Sequence, residues 1–163
     1  MYLSIIILIY TIFVLFFFND VIIFGNTFAS GDSFNPYAIH HILDQIRLAS
    51  SEWPQWQPWI FSGMPTLEAF TYVNLLYLPS YFLDLLGVSD LNIQFMHLVF
   101  SAVSMFCLVQ KLIQNKKIAF ISGLLWMLNP FLITMIVYGH GSQMMTAAFF
   151  PITLLLLLSL IHI

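Results

Sequence analysis

The residues best able to do chemistry in this chain are a few acids set among apolar sequence. Asp32 stands in the run Ser30-Gly31-Asp32-Ser33, and Glu68 follows an aromatic stretch further along. A carboxylate in such a setting is able to act as a general base toward a substrate hydroxyl group. Asp and Ser are also frequent in turns and at helix starts, so Asp32 is open to a purely structural interpretation as well. Glu68 is open to the interpretation of a solvated loop acid.

Two histidine-containing segments have the spacing or setting of a binding site. His40 and Asp44 are four residues apart, which places two potential metal ligands on one helix face. No third ligand is identifiable, so the sequence predicts no metal site. His140 lies between Gly139 and Gly141, where the ring is able to donate a hydrogen bond to an anionic group. A polar hairpin turn is the alternative interpretation.

Tryptophan recurs every third residue at Trp53, Trp56 and Trp59, among prolines. Tryptophan favours the boundary between membrane and water, so this segment and the stiff turn at 58–65 are expected to lie there. A second interpretation is that Trp59 contributes to an aromatic wall for a sugar ring or a lipid headgroup.

The composition of the chain is that of a membrane protein. It is 61% hydrophobic and 7% charged, against about 45–50% and about 25% in soluble domains. Lipid must therefore solvate much of it. The net charge of −3 and the absence of a basic patch give no indication of nucleic acid as a partner. The single cysteine, Cys107, excludes an internal disulfide.

We predict an all-α, polytopic membrane protein with a long outer loop at 25–90 that contains interfacial amphipathic helices. The predicted spans are 3–24, 91–112, 118–138 and 144–163. The first span has a cleavable signal peptide as its rival, but a basic N-terminal region is missing. Asn129-Pro130 is expected to kink the third span. Because the sequence is still apolar at Ile163, we expect the chain to be truncated there.

The loop holds six of the seven acids. Asn35-Pro36 predicts the start of an amphipathic helix over 36–49, with Tyr37, His41, Ile42 and Ile46 on one face. The stretch 70–88 is apolar but is interrupted by polar residues and Pro79, which favours an interfacial or re-entrant helix pair over a span.

The basic residues predict the orientation. Lys111, Lys116 and Lys117 are three of the four in the chain and cluster in the hairpin 110–117. The positive-inside rule places that hairpin in the cytoplasm. The N-terminus is then inside, and the loop 25–90 and the turn 138–143 are outside.

The order of these features resembles the bacterial YfhO-like membrane proteins, a branch of the GT-C-type glycosyltransferases. The resemblance covers nearly the whole chain, and its most specific elements are the run WPQWQPWIFSGMP and the Gly-His turn before a span. It implies a multi-pass enzyme of the cytoplasmic membrane that transfers a sugar from a polyprenyl-phosphate donor to an acceptor on the outer side.

The resemblance also implies roles for individual residues. An acid in the first outer loop serves as the catalytic base, and that position corresponds to Asp32. Among the other acids, Glu68 is the runner-up for this role and the candidate for a second acid. His140 corresponds to a position near the donor phosphate. Family members often carry a lysine where Gln143 stands, so this chain offers a neutral amide there. Trp59 and His41 complete the expected substrate-binding set.

Two other function classes remain open from the sequence. A transporter or flippase subunit should carry ionisable groups at mid-membrane depth, and the spans 91–112 and 118–138 contain only His97 and Lys111. A non-catalytic membrane scaffold is the third reading. The sequence does not specify the sugar, the acceptor or whether a divalent metal ion is a cofactor.

Overall fold

A computed structural model of the chain describes residues 2–52, 54–59, 61–66 and 77–161. These residues are mostly helical and form two compact units. Unit 1 comprises Met1–Phe28 and Leu91–Ile163, and unit 2 comprises Ala29–Asp90. The described helices are α1 (Tyr2–Phe17), α2 (Asn19–Ile22), α3 (Gly31–Ser50), α4 (Leu78–Leu85), α5 (Asp90–Ile113), α6 (Lys116–Met127), α7 (Pro130–Val137), α8 (Gly141–Ala148) and α9 (Phe150–Ile161).

Three helical segments of unit 1 are long and apolar enough to cross a membrane. They are α5 with 24 residues, the pair α6 and α7 over Lys116–Val137 with 22, and the pair α8 and α9 over Gly141–Ile161 with 21. α1 is apolar but has only 16 residues, and a turn at Phe18 separates it from α2. The predicted first span, 3–24, is therefore divided in two. Membrane crossing at the four predicted spans stays a prediction.

The predicted kink at Asn129-Pro130 is confirmed as a break between two helices. α6 ends at Met127, and Oδ1 of Asn129 accepts a hydrogen bond from the Phe131 N–H at 2.9 Å. Pro130 occupies the first turn of α7, where its missing N–H leaves no helical bond unmade.

The helix that contains the predicted last span begins three residues before Met144. α8 begins at Gly141, directly after the turn formed by Tyr138, Gly139 and His140. Gly139 has φ of +86°, a left-handed conformation that suits glycine. Gln143 therefore lies on the first turn of a helix instead of in the polar turn.

Ring contacts define the two ends of unit 1. At one end Nζ of Lys116 lies 4.6 Å from the ring centroid of Tyr2, so the start of α1 meets the start of α6. At the other end the ring centroid of Phe18 lies 4.6 Å from that of Phe95 and 6.4 Å from that of Phe28. α1 is thus antiparallel to α5, and the N-terminus shares an end with the lysine hairpin.

The turn before α8 lies at the end opposite the lysine hairpin. The side-chain amide of Gln94, in the second turn of α5, packs so closely on Gly141 that a Cβ there would overlap it. At about 1.5 Å per residue α5 is about 36 Å long, so this contact is far from the lysines. Phe28 and Leu91, where the chain leaves and re-enters unit 1, belong to the same end as Gly141.

Small residues and one tyrosine allow the helices of unit 1 to approach closely. Ala102 on α5 and Ala119 on α6 are fully buried. A Cβ on Gly123 would lie 2.7 Å from the Ala102 carbonyl oxygen. Tyr10 donates a hydrogen bond from Oη to the Phe120 carbonyl oxygen at 2.9 Å. Close backbone approach through small residues is the usual mode of helix packing in lipid.

Unit 2 begins with α3, whose start differs from the prediction at Asn35-Pro36. The helix begins at Gly31, so Pro36 lies inside it and Asp32 occupies its first turn. The residues that α3 buries within the chain are not those of the predicted apolar face, whose contact with lipid stays a prediction. Ile39 and Leu43 are buried, whereas Ile42 and Ile46 are exposed.

A short β-hairpin follows α3 and was not predicted. β1 (Trp56–Gln57) pairs antiparallel with β2 (Met64–Pro65), with Trp56 opposite Pro65. Of the predicted helix pair at 70–88, the part up to residue 76 lies outside the described residues. The remainder contains α4, whose eight residues are too few to cross a bilayer. Burial raises the pKa of the Tyr77 phenol just before α4.

Candidate functional site

The structure divides the predicted site residues between the two units. Asp32, His41 and Trp59 belong to unit 2, whereas His140 and Gln143 belong to unit 1. Glu68 lies outside the described residues. The assignment of these six residues to one substrate site stays a prediction.

Asp32 is positioned by the start of α3. Its side chain is exposed, and it is the acid in the first turn of that helix. The first turn of a helix has backbone N–H groups without helical partners, and an acidic side chain there is stabilised by the helix dipole. Asp32 is therefore a solvent-accessible carboxylate on a regular element.

His41 lies on the exposed surface of α3. The side-chain amide of Gln45 donates a hydrogen bond to Nε2 of His41 at 3.0 Å. Nearby, Asp44 forms an ion pair with Arg47 at 3.4 Å. Asp44 is thus engaged by a cation.

Trp59 lines an open groove of unit 2 with a volume of about 540 Å³. The groove lies between the last turn of α3 and the strand β1. Its lining residues are Ile46, Ser50, Glu52, Pro54, Gln55, Trp56, Pro58 and Trp59. Trp56 and Trp59 are each about half exposed, at 56% and 53%. Exposed indole rings beside a carboxylate and an amide offer both ring stacking and hydrogen bonding, as a sugar requires.

Local hydrogen bonds fix the wall of this groove. Oγ of Ser50 donates to the Ile46 carbonyl oxygen at 2.9 Å and accepts a bond from the Glu52 N–H at 3.3 Å. The hydroxyl group of Thr66 donates to the Pro54 carbonyl oxygen, and its N–H donates to that of Gln55 at 3.1 Å. These hydrogen bonds hold the end of α3 and the base of the hairpin, which together form the groove.

Glu52 is the groove residue that sequence reasoning missed. It entered that reasoning only as one of the loop acids, because nothing in its immediate neighbours singles out a carboxylate. Its position one residue before the tryptophan repeat was the available signal. The structure brings it to the same groove as Trp56 and Trp59.

His140 is positioned by the turn between α7 and α8. Its N–H donates to the Met135 carbonyl oxygen at 2.8 Å, and its own carbonyl oxygen accepts from the Gln143 N–H at 3.1 Å. Gln94 lies against the adjacent Gly141, and within the described chain its buried Oε1 has no hydrogen-bond partner. Gln94 is a second residue of interest that nothing in its neighbouring sequence singles out.

His97 is the ionisable residue buried in α5. Its Nδ1 lies 2.8 Å from the Ile93 carbonyl oxygen of the same helix, and its ring packs edge-on against Phe149 at 6.0 Å. These contacts tie the ring to its own helix and to an aromatic neighbour. They are the contacts of a structural histidine and give no specific support to a transport function.

Among residues 2–52, 54–59, 61–66 and 77–161, no three His, Cys, Asp or Glu side chains converge as a metal-binding group. No family model, curated protein or solved structure matches this chain.

Proposed function

We propose that this chain is part of a membrane glycosyltransferase of the YfhO-like, GT-C type. In this proposal a sugar passes from a polyprenyl-phosphate donor to an acceptor hydroxyl group on the outer side of the cytoplasmic membrane. The observation that carries the proposal is the groove of unit 2, where two exposed tryptophans lie beside Glu52 and Gln55. The long apolar helices of unit 1 supply the membrane setting that a lipid-linked donor requires.

Each chemical step has a candidate group. The Asp32 carboxylate accepts the proton of the acceptor hydroxyl group as its oxygen bonds to the anomeric carbon. The bond from that carbon to the donor phosphate oxygen breaks, and the lipid phosphate leaves with the electron pair. On the family resemblance, His140 and the amide of Gln143 are the hydrogen-bond donors proposed for a lipid phosphate. Trp59 and His41 hold parts of the donor away from the reacting carbon, because the groove lies at the last turn of α3, about 21–27 Å along the helix from Asp32.

Replacement of the proposed base tests the catalytic role. Asp32→Asn keeps the shape of the side chain and removes its basicity. We expect sugar transfer to fall by roughly 10²–10⁴-fold, the usual contribution of a general base. The measurement is transfer of radiolabelled sugar from polyprenyl phosphate in membranes with equal amounts of each protein. Asp20→Asn, at another exposed acid beyond α1, is the matched control and should retain activity.

Undiminished transfer by Asp32→Asn would remove Asp32 from the mechanism and move the role to Glu68. Absence of transfer in the wild-type protein under the same conditions, with every polyprenyl-phosphate sugar tried, would contradict the proposed function itself. A signal from wild type and from Asp20→Asn, together with loss in Asp32→Asn, is the supporting result.

The groove is tested by its tryptophans. Trp59→Ala removes a stacking surface that is worth about 0.5–1.5 kcal/mol per aromatic contact, so we expect KM for the donor to rise severalfold with kcat less affected. Trp59→Phe retains a ring and should restore most of the affinity. Equal KM in all three proteins would show that the groove does not bind the donor.

A further inference from the structure

The turn that joins β1 to β2 has an unusual backbone. Phe61, Ser62 and Gly63 have φ of +51°, +63° and +109° in succession. The left-handed region costs a residue with a Cβ roughly 1–2 kcal/mol. Gly63 avoids that cost, but Phe61 and Ser62 do not. Such conformations persist where the surrounding structure imposes them, and they concentrate at functional positions.

Several contacts impose this conformation. The β1–β2 pairing and the two bonds of Thr66 to Pro54 and Gln55 close the base of the hairpin. Above them the Trp56 ring packs on Gly63, where a Cβ would lie only 2.7 Å from the indole Cζ2. The tip is therefore braced from its base.

This braced tip presents an aromatic ring outward. The Phe61 side chain is 83% exposed, and the nearby Trp59 is 53% exposed. No charged residue occurs anywhere from Trp53 to Leu67. A phenylalanine side chain gains about 1.5–3 kcal/mol when it leaves water for an apolar environment. If the Phe61 ring stayed in water, the hairpin would bear the cost of its left-handed backbone and would also forgo the free energy of transferring the ring to an apolar environment.

We propose that the hairpin tip, defined by Phe61 and Ser62, inserts into the interfacial region of the lipid bilayer, which makes specific the interfacial position that the tryptophan spacing predicts for 58–65. Two observations and one general rule select lipid as the occupant. The described residues include three helical segments suited to a membrane, and the tip is free of charge. Tryptophan and other large aromatic residues anchor proteins at the headgroup level. Insertion removes the Phe61 ring from water and so offsets the strain of its backbone. The inference needs only a membrane protein and is independent of sugar transfer.

Site-directed spin labelling of the full chain in phospholipid vesicles tests the insertion. Cys107→Ser provides a background without native thiols, because Cys107 is the one cysteine of the chain. Labels are then placed through Phe61→Cys at the tip and Ser51→Cys at the exposed residue between α3 and the hairpin. We expect the ratio of collision with oxygen to collision with an aqueous nickel chelate to be severalfold higher at position 61 than at position 51.

Ser62→Cys provides a second label at the tip and should behave like Phe61→Cys. Equal access to the nickel chelate at positions 61 and 51 would overturn the proposal, since the tip would then lie in water. Low access to both oxygen and nickel at position 61 would also overturn it, because the tip would then be covered by protein. Both outcomes are readable whether or not the protein transfers sugar, so failure here is distinct from failure of the proposed function.

Discussion

At the scale of single residues, two helical glycines of unit 1 allow neighbouring groups to approach closely. Gly123 meets the carbonyl oxygen of Ala102 and the hydroxyl group of Tyr10, while Gly141 meets the amide of Gln94. The obstacles differ in kind. A backbone carbonyl moves only with its helix, whereas the end of a glutamine side chain is able to rotate away.

This difference predicts unequal costs for the same substitution. Overpacking at Gly123→Ala should cost about 1–3 kcal/mol. The better helix propensity of alanine returns at most about 1 kcal/mol. We therefore expect a net loss of stability in detergent. Gly141→Ala, the matched control, should cost less because only the Gln94 side chain must move. Thermal unfolding followed by size-exclusion chromatography measures both. A Gly123→Ala protein as stable as wild type would contradict the close helix approach.

The sequence allowed Asp32, Trp59 and His140 to be selected as candidates because their types are chemically able and their neighbours are unusual. It gave no reason to select Glu52 or Gln94. Glu52 is of interest because the turn after α3 brings it beside Trp56 and Trp59. Gln94 is of interest because it packs on Gly141, which is distant in sequence. Residue type and spacing do not predict either contact. The braced, left-handed tip at Phe61 was equally invisible, since only Gly63 signals positive φ by its type.

At the scale of elements, some helix boundaries are predictable from capping residues and prolines in the sequence. Asn129 caps α7 ahead of Pro130, and Asn115 caps α6. The start of α3 was predicted wrongly because proline is favoured in the first helical turn and unfavourable further in. The structure has Pro36 inside the helix. The local preference of proline for the first helical turn therefore predicted a helix start at Asn35, but the helix begins at Gly31 and continues through that position.

The cap at Asn115 gives a testable element-level prediction. Its Oδ1 accepts hydrogen bonds from the Lys117 and Ile118 N–H groups at 3.0 and 3.3 Å. Asn115→Ala should destabilise the start of α6 by about 0.5–2 kcal/mol, seen as faster hydrogen exchange of these two amides. Asn115→Asp keeps an acceptor at the helix N-terminus and should preserve protection. Unchanged exchange in the alanine variant would show that the cap is not formed.

At the scale of the whole molecule, the chain runs back and forth between the two ends of unit 1. The start of α1 and the lysine hairpin share one end through Tyr2 and Lys116. Phe28, Gln94 and Gly141 lie at the other. Within unit 1, the residues next to unit 2 therefore lie at the same end as the His140 turn. That this end faces the outside stays a prediction.

Reporter fusions test which side of the membrane each end faces. We expect a fusion at Asn115 to report the cytoplasm, because the three lysines of that hairpin are retained inside. Fusions at Ser51 and at Gly139 should both report the outside. Gly139 is the informative addition: it lies at the end of unit 1 opposite the lysines, across about 36 Å of helix. If Ser51 and Asn115 reported the same side, the apolar stretch 70–88 would have to cross the membrane, although α4 within it has only eight residues. If instead Gly139 alone joined Asn115, α6 and α7 would not form a span, and the four-span arrangement would be wrong.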